Sequence, residues 1–256
     1  MADLIEIVKR NQKPNMVVAE IGCWDGGTTE KYVEIIKNNN GKLIVVDWFM
    51  GSHAVGGMHA YQPHNVDQIY NEFVRKMNNK NCMDVVKIYK KTSLQAVTEI
   101  IDESIDIVYI DADHRYSSVK ADILAWMSKV KNGGILSGHD YDNCSHLVNT
   151  FSLEQLESDM AKDRGGPDVH AGVVQAVHEV FGSDFETYNI SWIKRINRNN
   201  NIKTNNGKNK YIISESRQID LIDGRRIWVP VNGNPFWVYP FHKIDLTEEE
   251  IKEYLQ

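Results

Sequence analysis

The feature that most constrains the fold is the alternation of short apolar runs with helical patterns over the first three quarters of the chain. The predicted strands cover residues 16–21, 43–47, 85–89, 105–110 and 135–137, with two more strand-like stretches within 185–196. The predicted helices cover residues 28–37, 66–77, 94–101, 118–130 and 172–181. Strands that are apolar along their whole length are buried on both faces, which is typical of parallel sheets. The pattern therefore predicts an α/β fold with a mostly parallel sheet and helices on both of its faces.

A smaller, β-rich unit is predicted at the C-terminus. Residues 197–210 are rich in Asn and Lys and nearly lack apolar side chains, which indicates a flexible linker or an exposed loop. Beyond them, strand-like runs at 218–222 and 225–229 flank Asp223-Gly224, a two-residue hairpin signal. A further strand at 236–239 and a helix at 247–255 are expected. We therefore divide the chain into a main domain (1–196), a linker (197–210) and a hairpin/helix appendage (211–256).

Charge and cysteine content narrow the partners and the compartment. The 256 residues include 29 Lys+Arg and 35 Asp+Glu, for a formal charge of -6. An acidic balance argues against a partner made of duplex nucleic acid, and a homo-oligomer is left open. We expect neither a membrane span nor a signal peptide. Cys23, Cys82 and Cys144 are far apart and form no CxxC pair, which favours a reducing, cytoplasmic location.

A glycine-rich run follows the first predicted strand and precedes a helix. From Glu20 to Thr29 it has the sequence E-I-G-C-W-D-G-G-T-T. Glycines let the backbone turn sharply and approach a ligand at a helix N-terminus. The spacing is neither G-x-G-x-x-G nor a Walker loop, which counts against NAD and ATP. A plain strand–helix turn is the alternative.

Asp47 closes the second strand, 27 residues after Glu20. A carboxylate at this place can accept hydrogen bonds from both hydroxyls of a ribose, within the strand–helix–strand unit of the glycine run. The alternative is a strand-end acid that faces solvent. Together with the glycine run, Asp47 predicts a nucleoside site.

Two polar runs follow the fourth and fifth strands. They are Asp111-Ala112-Asp113-His114 and Gly138-His139-Asp140-Tyr141-Asp142. Neighbouring parallel strands would bring both runs to one edge of the sheet, where such folds bind ligands. The carboxylates could bind a hard divalent cation, or the histidines could transfer protons. Helix caps and salt bridges are the structural alternative, most of all for Asp113 and Asp142.

The same runs resemble a known family. Residues 20–27, 107–116, 119–126 and 132–141 are similar, in order, to the small class I S-adenosylmethionine (SAM)-dependent methyltransferases that modify glycans and natural products, including macrolide sugars. The resemblance covers residues 16–196. It implies a Rossmann-like fold and methyl transfer from SAM to an acceptor oxygen. Residues beyond 196 resemble no family that we can name.

The resemblance implies a role for each matching residue. The cofactor contacts would be Glu20, Gly22, Cys23, Trp24, Gly26, Thr28, Asp47 (ribose), Trp48, Ser93 (adenine) and Asp111. Asp111 and Asp140 would hold Mg²⁺ or Mn²⁺, and His114 would be the catalytic base, with His139 as the next candidate. The catechol-type branch has Asp-Asn where this chain has Asp140-Tyr141, so the third metal ligand is open among His139, Asp113 and Asp142.

The predicted function is metal-assisted O-methylation of a small acceptor, with a sugar or glycan as first choice. A catechol or phenol acceptor, a hydrolase on the same metal site, and a SAM- or nucleoside-binding module without catalysis are the alternatives. The loop after Asp47, with His53, His59, Tyr61 and His64, is a candidate lid or substrate wall. Asp168 and His170 are expected to cap a helix.

Overall fold

The structure, a computed structural model, describes residues 2–50, 66–142, 144–162 and 168–198, and four strands within 216–243. The chain divides into two compact units, Met1–Asn201 and Ile202–Gln256. The strands of the first unit are β1 (Val17–Ile21), β2 (Lys42–Val46), β3 (Val86–Tyr89), β4 (Ile105–Ile110), β5 (Val130–Gly138), β6 (Ala161–Lys162), β7 (Asp168–Val169), β8 (Glu186–Tyr188) and β9 (Ser191–Arg195). Its helices are α1 (Ala2–Arg10), α2 (Val33–Asn38), α3 (Val66–Asn79), α4 (Ser93–Ala96), α5 (Tyr116–Met127), α6 (Leu153–Leu156) and α7 (Ala171–Phe181).

Seven strands form one sheet in the order β3-β2-β1-β4-β5-β9-β8. The first five are parallel, and β9 is antiparallel to both β5 and β8. The chain order reverses between β1 and β4, so their carboxyl ends flank the crevice in which open α/β sheets bind ligands. The pair β6–β7 forms a separate ribbon.

Helices cover both faces of this sheet, because its central strands are apolar along their whole length. Every residue of β4 is buried. Val108 packs on one face with Ile123 of α5 and Val177 of α7, whereas Ile107 packs on the other with residues of α1, α2 and α3. The predicted fold class is confirmed.

The element boundaries show where the sequence pattern was incomplete. The predicted helix at 28–37 is a 3₁₀ turn (Thr29–Lys31) followed by α2, and the helix at 94–101 is α4 followed by a second 3₁₀ turn (Val97–Glu99). β5 begins at Val130, five residues before the prediction, across a bulge opposite β4. Helix α1 was not predicted; its buried Leu4, Ile7 and Val8 follow helical spacing.

The second unit contains a four-stranded antiparallel sheet, in the part of the chain for which the sequence predicts a β-rich appendage. Its strands are β10 (Ser216–Asp220), β11 (Arg226–Pro230), β12 (Trp237–Val238) and β13 (His242–Lys243), in sequential order. Asp220 lies opposite Arg226, and the predicted turn at Asp223-Gly224 lies outside the described residues. The candidate linker falls almost wholly, and the helix at 247–255 wholly, outside the described residues.

No helix in the described part of the chain has the length and apolar character needed to cross a bilayer.

A buried carboxylate ties the amino-terminal edge of the sheet together. The side chain of Asp106 in β4 is 5% exposed and accepts a hydrogen bond from the Val17 amide of β1 (2.8 Å). The ammonium groups of Lys13 and Lys131 lie 2.7 and 2.8 Å from its oxygens. Burial alone would raise the pKa of Asp106, but these bonds outweigh burial and lower its pKa.

We predict that Asp106→Asn lowers the free energy of unfolding at neutral pH by about 1–3 kcal/mol, since it leaves buried partners poorly paired. The folded-state pKa of Asp106 is depressed, so its stabilising contribution is present above the unfolded pKa of about 3.9 and is lost as pH falls through the folded value. Urea unfolding at neutral and acidic pH measures both effects. The control is Asp102→Asn, which removes a 65% exposed carboxylate paired with Lys129 and should cost less than about 1 kcal/mol. Equal losses in the two variants would contradict the prediction.

Candidate active site

The turn after β1 closes against the end of β4. Gly22 has a left-handed backbone (φ 86°), and its amide donates to the Val46 carbonyl at the end of β2 (2.8 Å). The Asp111 amide donates to the Ile21 carbonyl (2.8 Å). A Cβ atom on Gly22 would lie 2.0 Å from the Asp111 carbonyl oxygen, so no other residue fits without movement of the backbone. The turn therefore joins the ends of β1, β2 and β4 at one edge of the sheet.

The rest of the turn is equally constrained. The Gly26 amide donates to the Cys23 carbonyl (2.9 Å), and a Cβ on Gly26 would lie 2.7 Å from the ring of Phe73 in α3. Trp24, between them, is half-buried and has a left-handed backbone (φ 53°). Thr28 is buried where the turn enters the 3₁₀ segment. Predicted contacts with a cofactor thus fall on a tight backbone turn.

Glu20 lies inside the protein beneath this turn. One of its carboxylate oxygens accepts hydrogen bonds from the Thr29 hydroxyl (2.6 Å) and the Tyr32 hydroxyl (2.8 Å). Burial raises the pKa of Glu20 to about 7, against the lowering effect of these two bonds. The observed contacts of this carboxylate therefore fix the segment that follows the turn, and its contact with a cofactor stays a prediction.

Asp47 binds the glycine turn directly. Its Oδ2 accepts from the amides of Cys23 (3.0 Å) and Trp24 (2.8 Å), and its Oδ1 accepts from the Phe49 amide (2.6 Å). Burial raises the pKa of Asp47, although the three amide bonds oppose that rise. Asp47 and the adjacent half-buried Trp48 thus lie beside the turn, as the sequence predicted, and the carboxylate holds the turn in shape.

Ser93 occupies the first position of α4, after β3. Its hydroxyl oxygen accepts from the indole nitrogen of Trp126 (2.8 Å). It also bonds to the buried Asp122, where burial raises the pKa of that carboxyl to about 7. Ser93 therefore joins α4 to α5, and the structure gives it no contact with the glycine turn among the described hydrogen bonds.

A line of alternating carboxylates and imidazoles follows β4 and β5. The imidazole of His139 lies 3.7 Å from Asp111 Oδ1 and 2.9 Å from Asp140 Oδ1. His114 Nε2 lies 2.9 Å from Asp140 Oδ2, and His114 Nδ1 lies 2.7 Å from Asp159 Oδ1. Asp140, at the centre, has a left-handed backbone (φ 56°), a conformation that costs energy outside glycine and is concentrated at functional sites. The structure brings together the four predicted residues Asp111, His114, His139 and Asp140.

The charges in this line are strongly coupled. Burial alone would raise the pKa of Asp140, but its bonds to His114 and His139 lower it far below its usual range. Burial alone would lower the pKa of His114, but its two carboxylate partners raise it to about 10. Burial raises the pKa of Asp111, and the charges of His139, 3.7 Å away, and of His114 oppose that rise. Asp111 thus has the longest imidazole contact in the line.

The structure separates the three candidates for a third metal ligand. Asp113 pairs with the guanidinium of Arg115 and accepts from the Ser118 hydroxyl, and Asp142 accepts from the backbone and ring of His170. Both carboxylates thus form local hydrogen bonds and ion pairs, as expected if Asp113 and Asp142 have a structural role. His139 alone of the three forms a compact ligand group with Asp111 and Asp140, whose donor atoms lie within 4.8 Å of one another.

Two residues at this edge were missed or misjudged from the sequence. Asp159, after α6, was not considered, because no motif surrounds it. His170 was expected to cap α7; it occupies the N-cap position, but its side chain makes no capping bond. Its ring instead lies 4.6 Å from that of His114, and its Nδ1 lies 3.9 Å from Asp140. Only the fold could reveal that these distant segments meet.

A pocket opens between the line and the sheet. Its polar wall consists of Asp111, Asp113, His114, His139 and Asp140. Its apolar wall consists of Ile110, Ala112, Val119, Val173 and Trp192. The loop with His53, His59, Tyr61 and His64 lies outside the described residues.

The donor set fits a divalent cation. Two carboxylates and one imidazole converge, and burial raises the pKa of Asp111 even though the charges of His139 and His114 oppose that rise. Carboxylate oxygen suits Mg²⁺ and Mn²⁺, and an imidazole nitrogen is a better ligand for Mn²⁺ than for Mg²⁺. This part of the site can therefore accept a cation without rearrangement of the fold.

Comparison with known proteins supports the family predicted from the sequence. Residues 19–141 match the family model described as a methyltransferase domain, a range that includes the glycine turn, the first polar run and the second polar run as far as Tyr141. Over 98 residues the chain is 28% identical to the uncharacterized protein y4gI of Sinorhizobium fredii. These 98 residues are 38% of this chain and 10% of that protein. This chain thus corresponds to a small part of that relative.

Solved structures share the fold. A candidate O-methyltransferase from Klebsiella pneumoniae is 14% identical with a TM-score of 0.52, over 76% of this chain and 78% of that one. TomG, an O-methyltransferase from Streptomyces achromogenes involved in tomaymycin synthesis and solved in complex with SAM, is 12% identical with a TM-score of 0.51, over 76% and 79% of the two chains. The Rossmann-like methyltransferase fold is confirmed.

We predict that Gly22→Ala destabilises the protein more than Gly133→Ala does. Both glycines have positive φ (86° and 79°), so an alanine costs about 1–2 kcal/mol of backbone strain at either place. At Gly133 nothing lies within 4 Å of the added atom, whereas at Gly22 it meets the Asp111 backbone. Overpacking should add about 1–3 kcal/mol to the cost of Gly22→Ala in denaturant unfolding. Equal costs would show that the turn and β4 can move apart freely.

Proposed function

We propose that this chain, a SAM-dependent methyltransferase by the domain in residues 19–141, methylates a hydroxyl oxygen of a small acceptor. The formal charge of -6 on the protein argues against duplex nucleic acid as the acceptor. A sugar or glycan is our first choice of acceptor. The observation that carries the proposal is the junction of the glycine turn with the polar line. The Gly22 backbone touches the Asp111 backbone, so a cofactor on the turn would lie beside the carboxylates and imidazoles.

The cofactor site rests on the turn and on Asp47. Gly22 lets the turn pack directly on the Asp111 backbone, and Asp47 fixes the shape of the turn through the amides of Cys23 and Trp24. Each oxygen of a carboxylate has two lone pairs, so Asp47 can still accept from a ribose hydroxyl through Oδ1. When bound there, SAM supplies an activated methyl group.

Asp111 and Asp140 are the proposed cation ligands, with His139 as the third. A bound Mg²⁺ or Mn²⁺ would lower the pKa of an acceptor hydroxyl and fix its position. The raised pKa of Asp111 supports this assignment, because a cation beside the carboxylate would offset the cost of removing its charge from water.

His114 is the proposed base, and its role depends on that of Asp140. With carboxylates at both ring nitrogens, the pKa of His114 is raised to about 10, so it is charged at neutral pH. A base must be neutral before it accepts a proton. When Asp140 binds a cation, its charge no longer raises the pKa of His114, and His114 can lose its proton more easily. In this proposal Asp140 and His114 together link cation binding to the basicity of the imidazole.

The lining of the pocket, which itself has room for about one water molecule, argues for two kinds of acceptor at this edge. Its carboxylates and imidazoles can hydrogen-bond to the hydroxyls of a sugar, which is also what the resemblance of the Asp111 and His114 positions implies. Its apolar wall, with Val119, Val173 and Trp192, favours a catechol or phenol instead. A mass-spectrometric screen for methyl transfer from SAM to glycan and phenol libraries decides between them. Binding of SAM without transfer to any acceptor would indicate a binding module.

The three free cysteines support a cytoplasmic site of action.

We predict that methyl transfer falls in EDTA and returns with Mn²⁺ or Mg²⁺, because the proposed ligands are mainly hard oxygens. In calorimetry, Asp111→Asn should weaken Mn²⁺ binding at least about tenfold. The control is Asp168→Asn, which removes an exposed carboxylate on β7. Full activity in chelator, with no metal retained, would mean that Asp111 and Asp140 bind the acceptor directly.

We predict that His114→Ala lowers kcat by roughly 10²–10⁴-fold and leaves SAM affinity nearly unchanged, because a general base acts mainly in the transition state. His146→Ala, which removes an exposed histidine, is the control. Steady-state kinetics and calorimetry on folded variants measure the two quantities. Near-native turnover of His114→Ala would transfer the role of base to His139, which adjoins Asp140.

A further inference from the structure

We propose that Asp159 is the positioning residue of His114: it holds the imidazole so that Nε2 faces the cation-binding edge of the pocket. The inference rests on the proposed function, because it assigns a partner to the proposed base. Asp159 lies beyond the methyltransferase match at 19–141, and no sequence motif marks it.

The contacts of the His114 ring support this role. Its Nδ1 lies 2.7 Å from Asp159 Oδ1 and its Nε2 lies 2.9 Å from Asp140 Oδ2. The three side chains are only 13–18% exposed. When Nδ1–H donates to a carboxylate, Nε2 is the nitrogen left to accept a proton. Because Asp140 faces Nε2, Asp159 does not select the tautomer alone; it fixes the direction of the ring and holds a proton on Nδ1.

The segment that carries Asp159 is itself anchored. Ser152 and Gln155 form a capping box at the start of α6. Glu157 accepts from the amide (3.1 Å) and the hydroxyl (2.7 Å) of Ser117 at the start of α5. The Ser158 hydroxyl donates to the carbonyl of Gln155 (2.6 Å). The residues just before Asp159 are thus bonded to the helix that follows His114.

A glycine locks the same junction from the other side. A Cβ on Gly172, in the first turn of α7, would lie 2.3 Å from the His114 carbonyl oxygen and 2.7 Å from that of Leu156. The backbones of His114, α6 and α7 therefore meet at one point, where only glycine fits. Supporting contacts of this kind hold a functional side chain in a productive geometry.

The proton and electron balance of the step is simple. The acceptor O–H bond breaks and its proton forms a bond to His114 Nε2, while the oxygen forms a bond to the methyl carbon. The methyl–sulfur bond of SAM breaks, and S-adenosylhomocysteine leaves with the electron pair. Asp159 gains no proton; it keeps the bond from Nδ1–H and stabilises the positive charge that His114 acquires.

Kinetics of Asp159→Asn test the proposal. This variant keeps the size of the side chain and removes its charge, and we expect kcat to fall by roughly 10²-fold or more with KM and SAM affinity nearly unchanged. The control is Glu154→Gln, which removes an exposed carboxylate from the same segment. If Asp159 acts through His114, the loss should disappear in a His114→Ala background. An equal loss in both backgrounds, or native kcat in Asp159→Asn, would overturn the proposal.

A second measurement separates this inference from the proposed function. In NMR spectra of the full chain labelled with ¹⁵N-histidine, His114 should show a slowly exchanging Nδ1–H proton, assigned by its absence from His114→Gln. We expect that signal to be lost in Asp159→Ala and retained in Glu154→Gln. Retention in Asp159→Ala would overturn the proposal whether or not any acceptor is methylated. If His114→Ala has native kcat while the NMR result holds, the base assignment fails and the contact stands as a structural one, which also overturns the positioning role.

Discussion

The close approach of Gly22 to the backbone of Asp111 is the constraint on which the candidate site depends. Strands β1, β2 and β4 are joined there by the amide bonds of Gly22 to Val46 and of Asp111 to Ile21, each 2.8 Å long. Because Gly22 has no side chain, the turn expected to bind a cofactor and the strand end expected to bind a cation share one van der Waals contact. A side chain at position 22 would push the turn away from Asp111 and so separate the expected cofactor site from the expected cation site.

Electrostatics then differentiates the carboxylates along the line Asp159–His114–Asp140–His139–Asp111. Signs alternate, with contacts of 2.7, 2.9, 2.9 and 3.7 Å from one end to the other. Asp140 has two close imidazole partners, which lower its pKa, whereas Asp111 ends the line with one distant partner and a raised pKa. The Asp111 end, which adjoins the glycine turn, is therefore the end at which an added positive charge would be stabilised most. Unequal pairing, rather than the number of acids, distinguishes this end of the line.

Much of this could be predicted from the sequence, because the strongest signals are local. Apolar runs identified the central strands, and the polar residues directly after them identified Asp47, Asp111 and Asp140. The β1 turn was recognised by its glycines, although the sequence could not show that the Glu20 side chain points inward to Thr29 and Tyr32. The spacing of apolar residues likewise could not predict that parts of two helices are 3₁₀ turns, at Thr29–Lys31 and Val97–Glu99.

What the sequence could not predict comes from contacts between distant segments. His114 and Asp159 are 45 residues apart, and His170 reaches Asp140 only because α7 returns across α5. A motif consists of residues that are close in the sequence, whereas the contacts of Asp159 and His170 form only when distant segments pack together. The residues within 19–141 supply the strand ends that every cofactor-binding sheet of this kind needs. Asp159 and His170 come from beyond this range, after α6 and at the start of α7, and both reach the line through packing. The part of the site that motifs mark and the part that packing assembles therefore meet at His114 and Asp140.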